Sequence, residues 1–230
     1  MKKPRQLPIK FPDPKLELKD FILTDANRAP IEAALNPDRW PHHVFCLIGP
    51  IGSGLSTLCS IWATELDGVH LTAAELSKMT PTEATEISSG RVVVDEADAV
   101  SDGHALLLLI SAVGRLGGRL LLTGHKSPSQ WRAATTDLAS RLQAAPLAQI
   151  GPPDEPMMRA RFQAIAKAQY LDMPKAVEDY LLVRIGLRYD LVAPVIEALS
   201  GAVGGRELTV PVAREILEHQ PELFDGREES

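Results

Sequence analysis

Cysteine is scarce in this chain: its 230 residues contain two, Cys46 and Cys59, and both fall on apolar segments expected in the core. There a thiol packs as a small hydrophobe, so the pair argues against a disulfide framework or a metal pair and fits a reducing compartment. Long hydrophobic runs are missing too. The candidate at residues 105–113 falls short of the roughly 18 residues that a bilayer span needs and reads as a buried helix. Lys2, Lys3 and Arg5 open the sequence without an apolar segment behind them, so no export signal is expected and the cytoplasm is the predicted location. Basic excess is absent. A net charge of −6 speaks against a broad basic face for duplex DNA. No internal repeat occurs, and with 45% hydrophobic residues the chain can bury a substantial core, divided into a larger and a smaller unit.

What is present is an anion cradle with one piece missing. Gly49, Pro50, Ile51, Gly52, Ser53, Gly54, Leu55, Ser56 and Thr57 follow the spacing of a phosphate-binding loop, with Gly49, Gly54 and Ser56 on the template and Leu55 where a lysine belongs. The glycines let backbone N–H groups curl around a phosphate, and the helix that follows turns its positive end to the same point. An isobutyl group cannot make the charge-assisted hydrogen bond of the lysine. That bond contributes about 1.5–3 kcal/mol, so triphosphate binding should weaken about 10- to 150-fold. Turnover should suffer more, since losing one preorganised donor raises a barrier by about 2.7–4 kcal/mol. Lys78 and Lys126 are the only candidate replacements.

The neighbourhood suits such a loop. Residues 44–48 form a short apolar run ending at Gly49, as a parallel strand buried on both faces does. Leu58, Ile61, Trp62 and Leu66 have helical spacing over residues 55–66. A second run, 92–94, ends in Asp95 and Glu96. In a nucleotide site Asp95 would hold Mg²⁺ through water together with Ser56, and Glu96 would polarise the attacking water. The plainer alternative is that these acids solvate a strand end. Thr123, at the tip of the run 119–123, either senses an outer phosphate or merely ends a buried strand.

Strands at 69–71 and 147–150 complete five parallel strands, interleaved with helices at 28–35, 82–88, 104–114 and 136–144. Residues 1–20 carry four prolines and many charges, which predicts an extended arm. Gly151, Pro152 and Pro153 read as a hinge. Beyond it come helices at 156–170, 175–185, 187–199 and 211–219, with Pro156 suited to a helix start and Pro194 expected to kink or displace the third of them. The predicted organisation is an arm (1–20), an α/β core (21–151) and a helical lid (152–230), with a frayed end from residue 225.

Phe21-Ile22-Leu23 with Asn27, the Gly-Pro-x-Gly-Ser-Gly loop, Ile61-Trp62-Ala63, Leu120-Leu121-Leu122-Thr123, Ser127-Pro128 with Trp131, residues 137–142, Tyr180-Leu181-Leu182 and Leu208-Thr209-Val210-Pro211 together resemble the DnaA-like branch of the AAA+ proteins. Within that branch they are most similar to the Hda-like regulators of the initiator DnaA. The resemblance implies an AAA+ P-loop core of five parallel strands flanked by helices, a small helical lid, and adenine nucleotide, ADP or ATP with Mg²⁺, in the loop. It implies the DNA polymerase sliding clamp and DnaA as partners and leaves a homodimer open. The helix-turn-helix domain of DnaA has no counterpart here, so direct sequence-specific DNA binding is not expected.

Two motifs carry the functional side of the resemblance. Gln6-Leu7-Pro8-Ile9-Lys10-Phe11 looks like a clamp-binding hexapeptide, in which Leu7, Ile9 and Phe11 enter a preformed groove while Gln6 hydrogen-bonds at its rim. Arg141 resembles the family's arginine finger, which would stabilise charge on a neighbour's nucleotide; the plain alternative is a surface arginine paired with Asp137. In the lid, Leu187 stands where the family has a nucleotide-sensing arginine, with Arg184 and Arg188 on either side. The expectation is therefore a clamp-tethered regulator of replication initiation with weak or no ATPase of its own that promotes hydrolysis by DnaA in trans. The alternative is a nucleotide-independent adaptor linking the clamp or DnaA to another partner.

Overall fold

The structure, a computed structural model, describes residues 17–131 and 135–224. Gln6, Leu7, Ile9 and Phe11 of the arm lie outside the described residues, as does the segment from residue 225.

Five short apolar runs form one parallel sheet: β1 (Val44–Ile48), β2 (Val69–Thr72), β3 (Arg91–Asp95), β4 (Arg119–Gly124) and β5 (Leu147–Gln149), in the spatial order β2-β3-β4-β1-β5. Parallel pairing requires crossovers, and these are helices: α1 (Arg28–Ala34) precedes the sheet, and α2 (Leu55–Glu65), α3 (Ala73–Leu76), α4 (Pro81–Ile87), α5 (Gly103–Leu116) and α6 (Thr136–Ala144) connect its strands. Side chains alternate faces along each strand. Cys46, Val92, Val94, Leu120 and Leu122 pack towards Leu106, Leu109 and Ile110 of α5. Phe45, Leu47, Val93 and Leu121 pack on the other side with Ile31 of α1 and Leu58, Cys59 and Trp62 of α2. Burial on both faces is why β1, β3 and β4 read as nearly continuous apolar runs, whereas the edge strands β2 and β5 are partly exposed. The register sets Thr72 opposite Asp95 and Leu47 opposite Thr123, so the ends of β1, β3 and β4 meet along one edge.

Local chemistry starts and stops the helices. Thr72 with Glu75 and Thr80 with Glu83 are capping boxes at α3 and α4. Asp102 accepts from His104 N at the start of α5, and Gly117 in the left-handed region (φ +77°) ends it. Helix α3, one turn directly after β2, was not expected; its capping box was its only signal.

The last four helices, α7 (Glu155–Ala168), α8 (Lys175–Ile185), α9 (Tyr189–Ala202) and α10 (Val210–Glu218), enclose an apolar cluster of their own around Phe162, Leu181, Val192, Ile196 and Leu217. Helix α9 begins two residues later than the sequence pattern suggests and runs continuously through Pro194. The missing N–H there affects only an acceptor in the first turn, while buried Leu191, Val192, Val195 and Ile196 hold the helix in place. Glu178, 7% exposed, is held by Arg159 at 3.2 Å and by the Gln163 amide.

Candidate nucleotide-binding site

The loop from Gly49 to Gly54 joins β1 to α2, and two of its glycines are conformationally required. Gly52 (φ +79°) and Gly54 (φ +98°) lie in the left-handed region, the conformation in which a glycine-rich turn can present backbone N–H groups to an anion. Both are also crowded. A Cβ on Gly52 would stand 3.0 Å from the backbone of Tyr189, and one on Gly54 would meet Arg161 Nη2 at 3.2 Å. The lid therefore rests directly on the loop. Pro50 and Ile51 face the outside, Ile51 being 61% exposed. Ser53 Oγ is buried without a hydrogen-bond partner among the described residues. Ser56 is exposed and Thr57 half-buried on the first turn of α2.

Leu55 is 3% exposed and belongs to the apolar cluster that also contains Phe45, Ile150, Met157 and Tyr189. Its side chain thus works as a core residue at the seam of core and lid. The loop backbone suits the inner phosphates of a nucleotide, and the orphaned Ser53 hydroxyl is a further donor. For an outer phosphate the loop offers no cation.

Asp95 closes β3 and is 8% exposed. Its Oδ1 accepts from Thr123 Oγ1 at 2.9 Å and from Glu96 N at 3.0 Å. The Thr123 hydroxyl is fully buried, 3.3 Å from Cys59 Sγ, so it faces Asp95 inside the sheet and would have to give up that bond to reach a phosphate. Burial and the Asp95 carboxylate push the Cys59 thiol well above its ordinary range; burial alone pushes Cys46 up to about 12. Glu96 has a left-handed backbone (φ 53°), a strained conformation for a residue with a Cβ. It opens onto a cleft of about 630 Å³ lined by Asp98, Ser101, His125 and Lys126. Asp98 shapes this wall by accepting from the backbone N–H groups of His125 (2.8 Å) and Lys126 (3.1 Å), while the His125 ring meets Gly49 O at 2.9 Å.

A second cleft, about 690 Å³, continues from the same residues to the lid and is lined by Pro50, Ile51, Leu187, Arg188 and Asp190. Of the two lid arginines, Arg188 is the one in this cleft, held to Asp190 Oδ2 at 2.8 Å. Arg184 stacks instead on the Phe224 ring at 4.3 Å. Lys126 lines both clefts, whereas Lys78 lines neither.

Sequence reasoning missed Arg161. From α7 its guanidinium donates to Gly52 O and, at 2.9 Å, to Ser53 O, and it lies over the Tyr189 ring at 4.7 Å. Burial lowers its pKa, with the Tyr189 phenol opposing that shift. The signal was there: Arg161 lies one turn beyond buried Met157 and next to buried Phe162, a charge on the helix face that should be apolar. Arg141 is elsewhere, on the outer side of α6, where its Nε meets Asp137 Oδ1 at 3.2 Å with the arginine side chain 41% exposed.

No protein-family model matches the chain. Solved structures do. The chain is similar to domain III of the replication initiation protein DnaA from Thermotoga maritima, with a TM-score of 0.70 and 16% identity over 87% of this chain and 95% of that one. It is similar to AMPPCP-bound DnaA from Aquifex aeolicus, with a TM-score of 0.69 and 17% identity over 93% of this chain and 74% of that one. A mutant of RuvB from Thermotoga maritima matches with a TM-score of 0.67 and 16% identity, over 90% of this chain and 73% of that one. With its five parallel strands, flanking helices and docked lid, the chain has the AAA+ P-loop fold, in the form seen in DnaA.

Proposed function

We propose that this protein is a regulator of replication initiation of the Hda-like kind. It is tethered to the sliding clamp by Gln6, Leu7, Ile9 and Phe11 and presents Arg141 to the nucleotide of a neighbouring DnaA. The observation that carries the reading is an asymmetry. Leu55 is 3% exposed within an apolar cluster, so the chain's own loop lacks a cation for outer phosphates, while Arg141 is 41% exposed and, among the described residues, ion-paired with exposed Asp137. Such a pair holds by roughly 0.2–1 kcal/mol, and a partner's phosphates would easily outcompete it. At a transition state the guanidinium offsets charge on the transferred phosphoryl oxygens, an effect of about 10³–10⁵ in rate.

ADP or ATP with Mg²⁺ suits the cradle for the inner phosphates, and the role of such a ligand here is to fix the lid on the core. Loop residues 49–57 would hold it, chiefly through the backbone N–H groups that follow Ser53; Ser56 and Asp95 would face the metal, and Arg188 and Lys126 line the cleft beyond. Glu96 keeps its place beside the cleft, but intrinsic turnover should be weak without the lysine. A second reading, a nucleotide-independent adaptor, is favoured by Arg161, which already ties the lid to Gly52 O and Ser53 O through protein groups alone. Both readings are tested by measuring ATP hydrolysis by DnaA with clamp and protein added. Acceleration that Arg141→Ala abolishes while clamp binding persists supports the regulator; binding without acceleration supports the adaptor and removes the leading proposal.

A further inference from the structure

Three potential metal ligands converge on the α2 side of the sheet, on three separate elements. Cys59 comes from the second turn of α2, His70 from β2 and Asp95 from the end of β3, and one donor atom from each lies within 4.8 Å of the other two. The register brings them there: His70 stands opposite Val93, and Thr72 opposite Asp95, on neighbouring strands. Cys59 and Asp95 are buried, and His70 Nε2 is buried without a hydrogen-bond partner among the described residues although its ring is half-exposed. A buried imidazole nitrogen without a protein partner keeps its lone pair or its N–H for a ligand, and here it does so beside a thiol and a carboxylate. Thr123 supplies the supporting contact: its hydroxyl donates to Asp95 Oδ1 at 2.9 Å and lies 3.3 Å from Cys59 Sγ, orienting carboxylate and sulfur together.

We infer that Cys59, His70 and Asp95 form a site for a borderline-soft divalent ion of the Zn²⁺ class, with water in the fourth position. One sulfur, one imidazole nitrogen and one carboxylate oxygen match the donors of tetrahedral zinc, whereas Mg²⁺ prefers oxygen donors throughout. Bound ligand atoms about 2.0–2.3 Å from a common ion stand closer together than this trio does, so side-chain closure by rotamer adjustment accompanies binding. The Cys59 S–H bond gives its proton to solvent as the metal–sulfur bond forms, with no change in oxidation state. Entry is from the sheet margin, because β2 is the edge strand and His70 is its half-exposed member. The ion would join β2, β3 and α2 and engage the Asp95 carboxylate that a nucleotide-bound Mg²⁺ would otherwise face. This site requires neither a partner nor nucleotide, so its test is independent of the regulator reading.

The full chain, stripped of metal and kept reduced, should take up one Co²⁺ with tetrahedral ligand-field bands and a thiolate-to-cobalt charge-transfer band, displaced by Zn²⁺ but not by excess Mg²⁺. Cys59→Ser should abolish the charge-transfer band, and His70→Gln, a change at a half-exposed edge position, should weaken Co²⁺ binding by more than about 100-fold, beyond the loss typical of a supporting contact. Far-UV circular dichroism shows that each variant is folded, and Cys59→Ala replaces the serine variant if that one is not. Absence of the charge-transfer band in the wild type overturns the inference. So does a band that survives in Cys59→Ser and disappears in Cys46→Ser, or affinity unchanged by His70→Gln.

Discussion

The interior of the lid and the seam where the lid meets the core both bury polar side chains, and they treat them differently. In the lid, Glu178 is 7% exposed and its carboxylate receives Arg159 and the Gln163 amide, while Arg159 also meets Glu155 and Asp179. In the core and along the lid surface that faces its loop, His43 Nε2, Ser53 Oγ, His70 Nε2, Arg161 Nε and Tyr189 OH are buried without partners among the described residues. A satisfied network is a structural device that specifies one packing. Of these, Ser53 Oγ, Arg161 Nε and Tyr189 OH belong to the loop and the lid residues that touch it, where polar groups without protein partners are open to water or a ligand. The interior of the lid is thus a closed network, the core pairs Asn27, Asp95 and Thr123 in the same way, and the loop with the lid surface facing it is where polar groups stay open.

The comparison is broken most severely at Leu55. Leu55→Lys places an ammonium in the apolar seam and should destabilise the nucleotide-free protein by about 3–5 kcal/mol, as an uncompensated buried charge does. Urea unfolding measures this, and added ATP should recover part of the loss if the loop is a working cradle. An unchanged midpoint without ATP would mean that the seam admits water. Next comes the lid: Glu178→Ala removes a buried acceptor from a satisfied network and should cost about 1–3 kcal/mol in the same assay. A neutral result would erase the contrast between the two regions.

His43 sharpens the comparison through pH. Burial, and then the neighbouring His42, lower its pKa from 6.5, so the unfolded chain takes up a proton more readily than the folded one. Stability from this group is complete above pH 6.5 and falls as the pH drops towards the folded value. His43→Gln should flatten the acid side of the stability profile, measured by thermal unfolding between neutral and mildly acidic buffer. The smallest effect belongs to Arg141→Ala. Because its pair with Asp137 is exposed, stability should change by less than about 1 kcal/mol, while under the proposed regulator role stimulation of DnaA should be lost. A large loss of stability would make Arg141 a structural residue.

Much of the core was legible because apolar runs, loop glycines and acidic strand ends have local causes. The expected strand at 44–48 and helices at 136–144 and 175–185 appear with those bounds. The site was legible only where it follows a motif. Gly49 to Thr57 and Asp95 are recognisable by spacing, but Arg161 reaches Gly52 and Ser53 across more than a hundred positions of sequence. For the Thr123 hydroxyl the sequence leaves two readings open, a contact to an outer phosphate or the plain end of a buried strand. Register and the proximity of Asp95 turn it inward. Cys59 looked like a small hydrophobe, and its packing agrees; that His70 and Asp95 lie beside it depends on β2 pairing with β3, which no local pattern states.

Sequence alone determined the parallel α/β core, the four helices after it and an aliphatic Leu55 in the loop, because periodicity and residue type act over a few neighbours. Tertiary structure decided which charges meet. The lid brings Arg161 and Tyr189 onto the loop, Arg188 into the cleft and Arg184 away from it, and the sheet gathers Cys59, His70 and Asp95. Those encounters depend on how separate elements pack, and packing distances are set in space rather than along the chain.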